Sequence, residues 1–364
     1  MLKTTPFHDR HVAAGGRLVE FAGYEMPVQF RGIISEHERV RSTVGVFDVS
    51  HMGRIEVRGS DAERWLNRMT TNDVSALAEN QAQYSVLCYP DGGIVDDLVV
   101  YRLADHYLLV VNGANNDKDT AWLKQHIGGA AEMENVTDRM AQLAVQGPVA
   151  EKVIQPLCDV DLSEIEFYWS RPARVAEVPG LISRTGYTGE DGFELYFPAG
   201  QAHKVYDAVF SSGSEHDIQP IGLGARDTLR MEMKYALYGN DIDRTTNPLE
   251  AGLGFVVKLD KPGGFVGSDV LARVKADKPE RRLVCLLVQE RGIPRPGQEV
   301  FADGEPVGKV TSGTMSPSLK QGIALAYVRR GRTKSGTKLE IDIRGRKTAC
   351  EVVKPPFYRH GSRK

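Results

Sequence analysis

The residues with the strongest claim to chemistry are Asp96 and Asp97, adjacent carboxylates inside the stretch Gly92 to Tyr101. The Gly92-Gly93 pair is turn punctuation, and the β-branched and aromatic run behind it reads as a strand. Successive strand side chains point to opposite faces. Asp97, Val99 and Tyr101 therefore share one face, and Asp96, Leu98 and Val100 the other. At least one carboxylate sits against apolar surroundings, where its ionised form is costly unless a cation or a hydrogen-bond donor meets it. Such a group is a functional-site candidate; a paired structural Asp at a strand start is the other reading. Neighbours on opposite faces cannot share a proton, which argues against a paired-Asp hydrolase.

A second candidate runs from Arg184 to Leu195, with Gly186, Gly189 and Gly192 close together. Glycines this dense mean tight turns or close approach of main chain to a ligand. Tyr187 sits among them, where its ring can cover a flat ligand. Glu194, between Phe193 and Leu195, can accept two parallel N–H bonds from a ring amide and an exocyclic amino group, the edge of a guanine or pterin. An exposed Glu on a hairpin is the alternative. In Gly222-Leu-Gly-Ala-Arg226-Asp227 the third Gly of a dinucleotide fingerprint is lacking, so the stretch reads as a Gly-rich lead-in to a helix. Arg226 can anchor an anionic or carbonyl group, or simply pair with Asp227 or Glu232. His51 offers a general base or a core histidine.

Several elements position these groups. Phe21 to Phe30 reads as aromatic packing with a turn at Met26-Pro27. Ser35 with Glu38 suggests a capping box opening a helix that stops near Gly45, and Ser60 with Glu63 a second one. Behind the second, Ala62, Trp65, Leu66 and Met69 fall at helical spacing. Tyr84 to Tyr89 and the Asp-Gly-Gly segment at 91–93 predict a hairpin into the Asp96 strand. Tyr107 to Val111 is a strand ending at Asn112, with a helix around Asp119 to Ile127. Gln201 to Phe210 predicts another amphipathic helix. After Arg281 five short β-type runs separated by Gly and Pro turns suggest a small barrel or sandwich. The charged run Lys275 to Glu280 reads as the linker ahead of it.

The chain has 364 residues, enough for two or three domains, and balances 46 Lys and Arg against 48 Asp and Glu. That balance gives no support to nucleic-acid binding. Four dispersed cysteines, with no Cys-x-x-Cys pair, argue against zinc, iron–sulfur and disulfide frameworks. No apolar run is long enough to span a bilayer, and the first residues lack a signal-peptide or transit pattern. The expectation is a cytoplasmic protein with neither membrane nor nucleic-acid partner.

Taken in order, Phe47 to Gly53, Gly92 to Tyr101, Arg184 to Leu195, Gly222 to Glu232, Asn247 to Leu253 and Thr311 to Leu319 resemble the aminomethyltransferase, or T-protein, family of the glycine cleavage system. The resemblance covers nearly the whole chain. It departs in detail at Met231, where Leu is usual, and at Phe255, where Trp is usual. Related oxidases carry the scaffold behind a flavin domain for which this chain has no room or Gly-rich fingerprint. The fold implied is α+β, a three-domain cloverleaf of two antiparallel α/β-sandwich domains and a C-terminal β-barrel around a central folate channel. The implied domains are residues 1–50 with 138–245, residues 51–137 with 246–278, and residues 279–364.

The function implied is transfer of the methylene of an aminomethyl group, carried on the lipoyl arm of the H-protein, to tetrahydrofolate. Ammonia is released and 5,10-methylenetetrahydrofolate forms, with tetrahydrofolate as co-substrate and neither metal nor flavin. By motif, Asp97 is the catalytic carboxylate and Glu194 grips the pterin edge. Tyr187, Tyr84, Met52, Val99, Tyr101, Asn112 and Arg226 line the folate, with Arg359 reaching the channel from the third domain. A non-catalytic folate-binding regulator and a folate-dependent demethylase with another one-carbon donor are the competing functions.

Overall fold

The computed structural model describes residues 2–363. Three hydrophobic cores organise it. The first lies under a six-stranded sheet built from Gly45–Asp48 and from strands between Met140 and Pro220. Alternate residues Leu143, Val145, Phe193, Leu195 and Phe197 point to one side. There they pack on Phe7 and on Val205 and Val209 of the Ala202–Ser212 helix. Each large side chain so buried contributes ~1.5–3 kcal/mol. The sheet is antiparallel except at its edge, where Gln219–Pro220 runs parallel to Gly45 and Val46.

The second core lies under a five-stranded antiparallel sheet formed by Ala82–Cys88, Ile94–Arg102, Tyr107–Val111, Gly53–Arg58 and Glu132–Asn135, in that spatial order. Leu98, Val100, Ile55 and Val57 face Trp65, Leu66 and Met69 of the Ala62–Met69 helix, and Leu123 of the Asn116–Gln125 helix. The other face of Ile94–Arg102 meets the first sheet: Val99 and Tyr101 pack with Leu181 and Tyr196. The third core fills a closed barrel of six strands, Arg281–Val288 to Arg346–Val353. The barrel docks through Leu283, Leu325 and Phe357 on Met231.

Four local expectations are corrected. The turn lies at Ala22-Gly23, both at positive φ, between the paired strands Arg17–Phe21 and Tyr24–Gln29. Met26-Pro27 is inside the second of these, where Pro is tolerated because this two-stranded ribbon has a free edge. The capping boxes do not form. The Ile33–Ser42 helix begins after Gly32, and neither it nor Ala62–Met69 has a side-chain cap. Instead Glu36 reaches back, its Oε1 accepting the N–H groups of Phe30, Arg31 and Gly32 at 2.7–3.0 Å. Its Oε2 takes the Gly222 N–H at 2.8 Å, so one buried carboxylate serves two helix N-termini. The supposed linker begins as the last turn of the Ser268–Asp277 helix. A sixth barrel strand, Glu299–Ala302, joins the five read from sequence; four residues are too few to show a period.

Candidate functional site

The hairpin Ala82–Cys88/Ile94–Arg102 closes through Gly92, whose φ of 84° favours glycine, and through Asp91, which accepts the Gly93 N–H. Its register places Val86 opposite Asp97 and Tyr84 opposite Val99. Tyr84 thus sits diagonally across from Asp97 on the same face, and its hydroxyl donates to Asp97 Oδ2 at 2.8 Å. Asn112, just past the end of Tyr107–Val111, donates through Nδ2 to Asp97 Oδ1 at 2.8 Å. The same Nδ2 also lies 2.9 Å from Asp96 Oδ1. The doublet divides as its alternation requires. Asp96 is fully buried on the helix side, while Asp97 keeps accessible surface on the side facing the first sheet. Burial, reinforced by the Asp96 charge, pushes Asp97 up to about 7. Burial and the Asp97 charge also push the Tyr84 phenol well above its ordinary value, so it stays a donor.

Across the interface, Glu194 lies on Gly192–Pro198 with Phe193 and Leu195 turned into the first core. Its Oε1 accepts from Gln142 Nε2 at 3.0 Å and its Oε2 from Thr185 Oγ1 at 2.5 Å. Each carboxylate oxygen has two acceptor directions, so one on each remains open. Burial raises this carboxyl above the ordinary glutamate value. Tyr187 reaches the same space from its loop, its hydroxyl bonded to the Ala236 carbonyl and its ring stacked 5.5 Å from Tyr235. Gly189 makes that loop possible: a Cβ there would come within 2.4 Å of Met233 sulfur.

Arg226 projects from the Leu223–Glu232 helix over the Tyr187 ring, 4.7 Å from its centroid. Neither proposed ion pair forms. Asp227 pairs with Arg230, Glu232 pairs with Arg41, and Arg226 has no ion-pair partner among the described residues. Burial depresses its guanidinium, opposed by Tyr187 and Glu194 nearby. Met52, Tyr84, Asp97, Val99, Asn112, Tyr187, Glu194 and Arg226 thus converge where two sheets and a helix meet, each partly accessible deep inside the protein. Tyr101 is one step behind: fully buried, its hydroxyl 3.1 Å from both Thr185 Oγ1 and Tyr196 Oη.

Arg359 stands apart. It is exposed, and its guanidinium turns back to the carbonyls of Lys354 and Pro356. The arginine that approaches the aromatic wall from the C-terminus is Arg363, 2.7 Å from Tyr235 Oη and 4.7 Å from the Phe167 ring. His51 is a core residue, held neutral by burial at about 3.

Sequence reasoning missed Tyr168, which is held at φ 65° and lies in the electrostatic neighbourhood of Tyr84, Tyr101 and Glu194. Such a strained tyrosine is at home in a ligand site. The only sequence signal is the aromatic run Phe167-Tyr168-Trp169. Phe255 stacks on Tyr84 at 6.4 Å while remaining 65% exposed, an aromatic surface at the rim.

The site is thus an enclosed recess with an acid of raised pKa on one wall and, on the other, a carboxylate and a free guanidinium flanked by tyrosines. Such walls can accept N–H groups from one edge of a flat ligand at Glu194 and exchange a proton at Asp97. Comparison with known proteins narrows this class. The GCVT N-terminal domain family matches residues 7–261, and the glycine cleavage T-protein C-terminal barrel domain family matches residues 281–359. The chain is 49% identical to the aminomethyltransferase of Geobacillus kaustophilus, with 99% of each chain covered. It is 51% identical to that of Bacteroides fragilis, over 98% of this chain and 99% of the relative. The crystal structure of the glycine cleavage system aminomethyltransferase T from Bartonella henselae superposes with a TM-score of 0.93 at 33% identity, each chain covered in full. The chain belongs to the glycine cleavage T-protein family.

Proposed function

We propose that this protein is the aminomethyltransferase of a glycine cleavage system. It transfers the methylene of an aminomethyl group, presented on the lipoyl arm of a carrier H-protein, to tetrahydrofolate and releases ammonia. The observation that carries this reading is Asp97, fixed by Tyr84 and Asn112 and raised to about 7, facing a recess whose opposite wall offers the free acceptor directions of Glu194.

The residues fit a reduced pterin. Glu194 accepts the paired N–H groups of its amide edge, Tyr187 covers a ring face, and Arg226, unpaired, meets its carbonyl side. Bound tetrahydrofolate supplies the ring nitrogen that receives the methylene. Asp97 orients that nitrogen, takes its proton at a carboxylate oxygen, and offsets positive charge as ammonia departs. A carboxyl poised near neutrality is suited to accept and return a proton. Tyr84 and Asn112 hold its two oxygens, so it needs no reorganisation during reaction. Val99, Met52 and the tyrosines exclude water from the transferred carbon.

The test supplies aminomethylated, lipoylated H-protein and tetrahydrofolate to the purified protein and follows ammonia and 5,10-methylenetetrahydrofolate. Stoichiometric formation of both is expected. Folate binding without ammonia release would leave a folate-binding regulator instead. Turnover only with another one-carbon donor would leave a demethylase. Glu194→Ala is expected to weaken tetrahydrofolate binding ~10- to 100-fold, the loss of charge-assisted hydrogen bonds, measured by titration.

A further inference from the structure

Behind Asp97 lies a second carboxylate pair that the reaction does not use directly. Asp96 accepts three N–H donors: Asn112 N at 3.0 Å on Oδ2, with Asn112 Nδ2 at 2.9 Å and Asn115 Nδ2 at 2.6 Å on Oδ1. Asp119, on the Asn116–Gln125 helix, is fully buried, with its carboxyl within hydrogen-bonding reach of Asp96. No N–H or O–H of another residue donates to either Asp119 oxygen among the described residues. Two carboxyl groups can hydrogen bond only with a proton between them. Burial raises both carboxyls, but the three donors on Asp96 favour its charged form, whereas on Asp119 only the Lys118 charge opposes burial and the Asp96 charge, which assigns the proton to Asp119. Lys118 Nζ, 3.7 Å from Asp119 and bonded to the Val95 carbonyl, is the cation beside the pair, and it lies 4.1 Å from the centroid of the Tyr238 ring, whose phenol burial keeps neutral. Asn112 joins this pair to the site, because the Nδ2 that contacts Asp96 also donates to Asp97.

We propose that Asp119 is a positioning residue: as the protonated donor to Asp96, it locks the Asn112 amide that aims the Asp97 carboxylate. This rests on Asp97 acting as proposed above. The function assigned to Asp119 is to keep Asp96 ionised, so that Asp96 both pins Asn112 and keeps the charge that holds Asp97 near neutrality. Without a donor at 119, Asp96 takes up a proton more readily and its charge no longer lifts Asp97.

Two measurements test it. Infrared spectra taken well above the Asp97 midpoint of about 7 are expected to show a protonated carboxyl band in the wild type that is absent in Asp119→Asn. Persistence of that band in Asp119→Asn would place the proton elsewhere and overturn the proposal. Independently, Asp119→Ala is expected to lower kcat ~10- to 100-fold and to move the rising limb of the pH–rate profile to lower pH. Asp119→Asn, whose amide still donates to Asp96, is expected to keep the wild-type limb. An Asp119→Ala protein with an unmoved limb and intact kcat would overturn it. Failure of the wild type to release ammonia would instead refute the proposed function and leave the infrared result standing, and Asp119→Asn suffices if Asp119→Ala does not fold.

Discussion

Two buried carboxylates in this protein have been driven in opposite directions. Glu232, at the junction of the Leu223–Glu232 helix with the barrel, is fully buried yet held at about 2. Burial alone would raise it; His37 at 3.3 Å, Arg41 at 2.8 Å and the hydroxyls of Ser316 and Ser318 outweigh burial. Arg41 carries the network on to Glu190, whose other oxygen takes the N–H of Ser362 near the C-terminus. Asp97 has donors too, but only neutral ones, and its charged neighbour is another carboxylate. The first arrangement sets the Arg41 cation against the acid and leaves no carboxyl that exchanges a proton near neutrality. The second accepts an unfavourable charge and keeps a carboxyl able to exchange a proton near neutrality. Unlike charges hold a joint, and the unneutralised acid on an internal recess is the group to which the proposed chemistry is assigned.

The contrast can be broken most sharply at Asp97. Asp97→Asn is expected to cut turnover by ~10²–10⁴-fold while tetrahydrofolate affinity stays within a few-fold, read by single-turnover product formation and by titration. Near-normal turnover would remove the proposed role. The same substitution sharpens the comparison through stability. Because folding raises the Asp97 pKa above its unfolded value, the folded state binds more protons between about 4 and about 7, and wild-type stability falls as pH rises through that window. Asp97→Asn is therefore expected to raise the melting temperature, most clearly above the midpoint of about 7; a loss there would contradict the charge assignment.

At Glu232 the sign reverses. Its folded pKa is depressed, so its contribution is present above the ordinary glutamate value and lost as pH falls toward about 2. Glu232→Ala is expected to cost ~3 kcal/mol at neutral pH, measured as a shift in denaturation midpoint, because Arg41 is left buried against one fewer carboxylate. Folate affinity of the folded fraction should persist. The smallest effect is expected from Phe255→Ala. Its ring is mostly exposed, so stability should change by no more than ~0.5 kcal/mol, and any change in KM should concern the carrier protein rather than tetrahydrofolate.

Much of the candidate site was legible in the chain because its signals are local. Strand alternation alone separates Asp96 from Asp97, and the Gly-rich flanks of Tyr187 and Glu194 announce close packing of main chain around something. The helix bearing Arg226 was equally clear from its glycine lead-in. Arg359 was not: an arginine near the end of a chain carries no local information about where it points, and its guanidinium bonds its own segment. Tyr168 escaped because a left-handed backbone at a non-Gly residue has no sequence signature. The capping boxes misled for a related reason, since Glu36 caps by reaching back over the preceding turn and across to Gly222, 186 residues on.

By itself, then, the sequence determined the strand and helix segments, the two faces of the doublet, the barrel at the C-terminus and the family. These follow from periodicity, turn chemistry and motif order, which act over a few residues. Only the tertiary structure decided which cation meets which acid. Arg41 rather than Arg226 neutralises Glu232, Arg230 takes Asp227, and Asp119 comes to rest against Asp96. Those pairings depend on distances between segments far apart in the chain, and through them one buried carboxylate is held ionised while another keeps a pKa near neutrality.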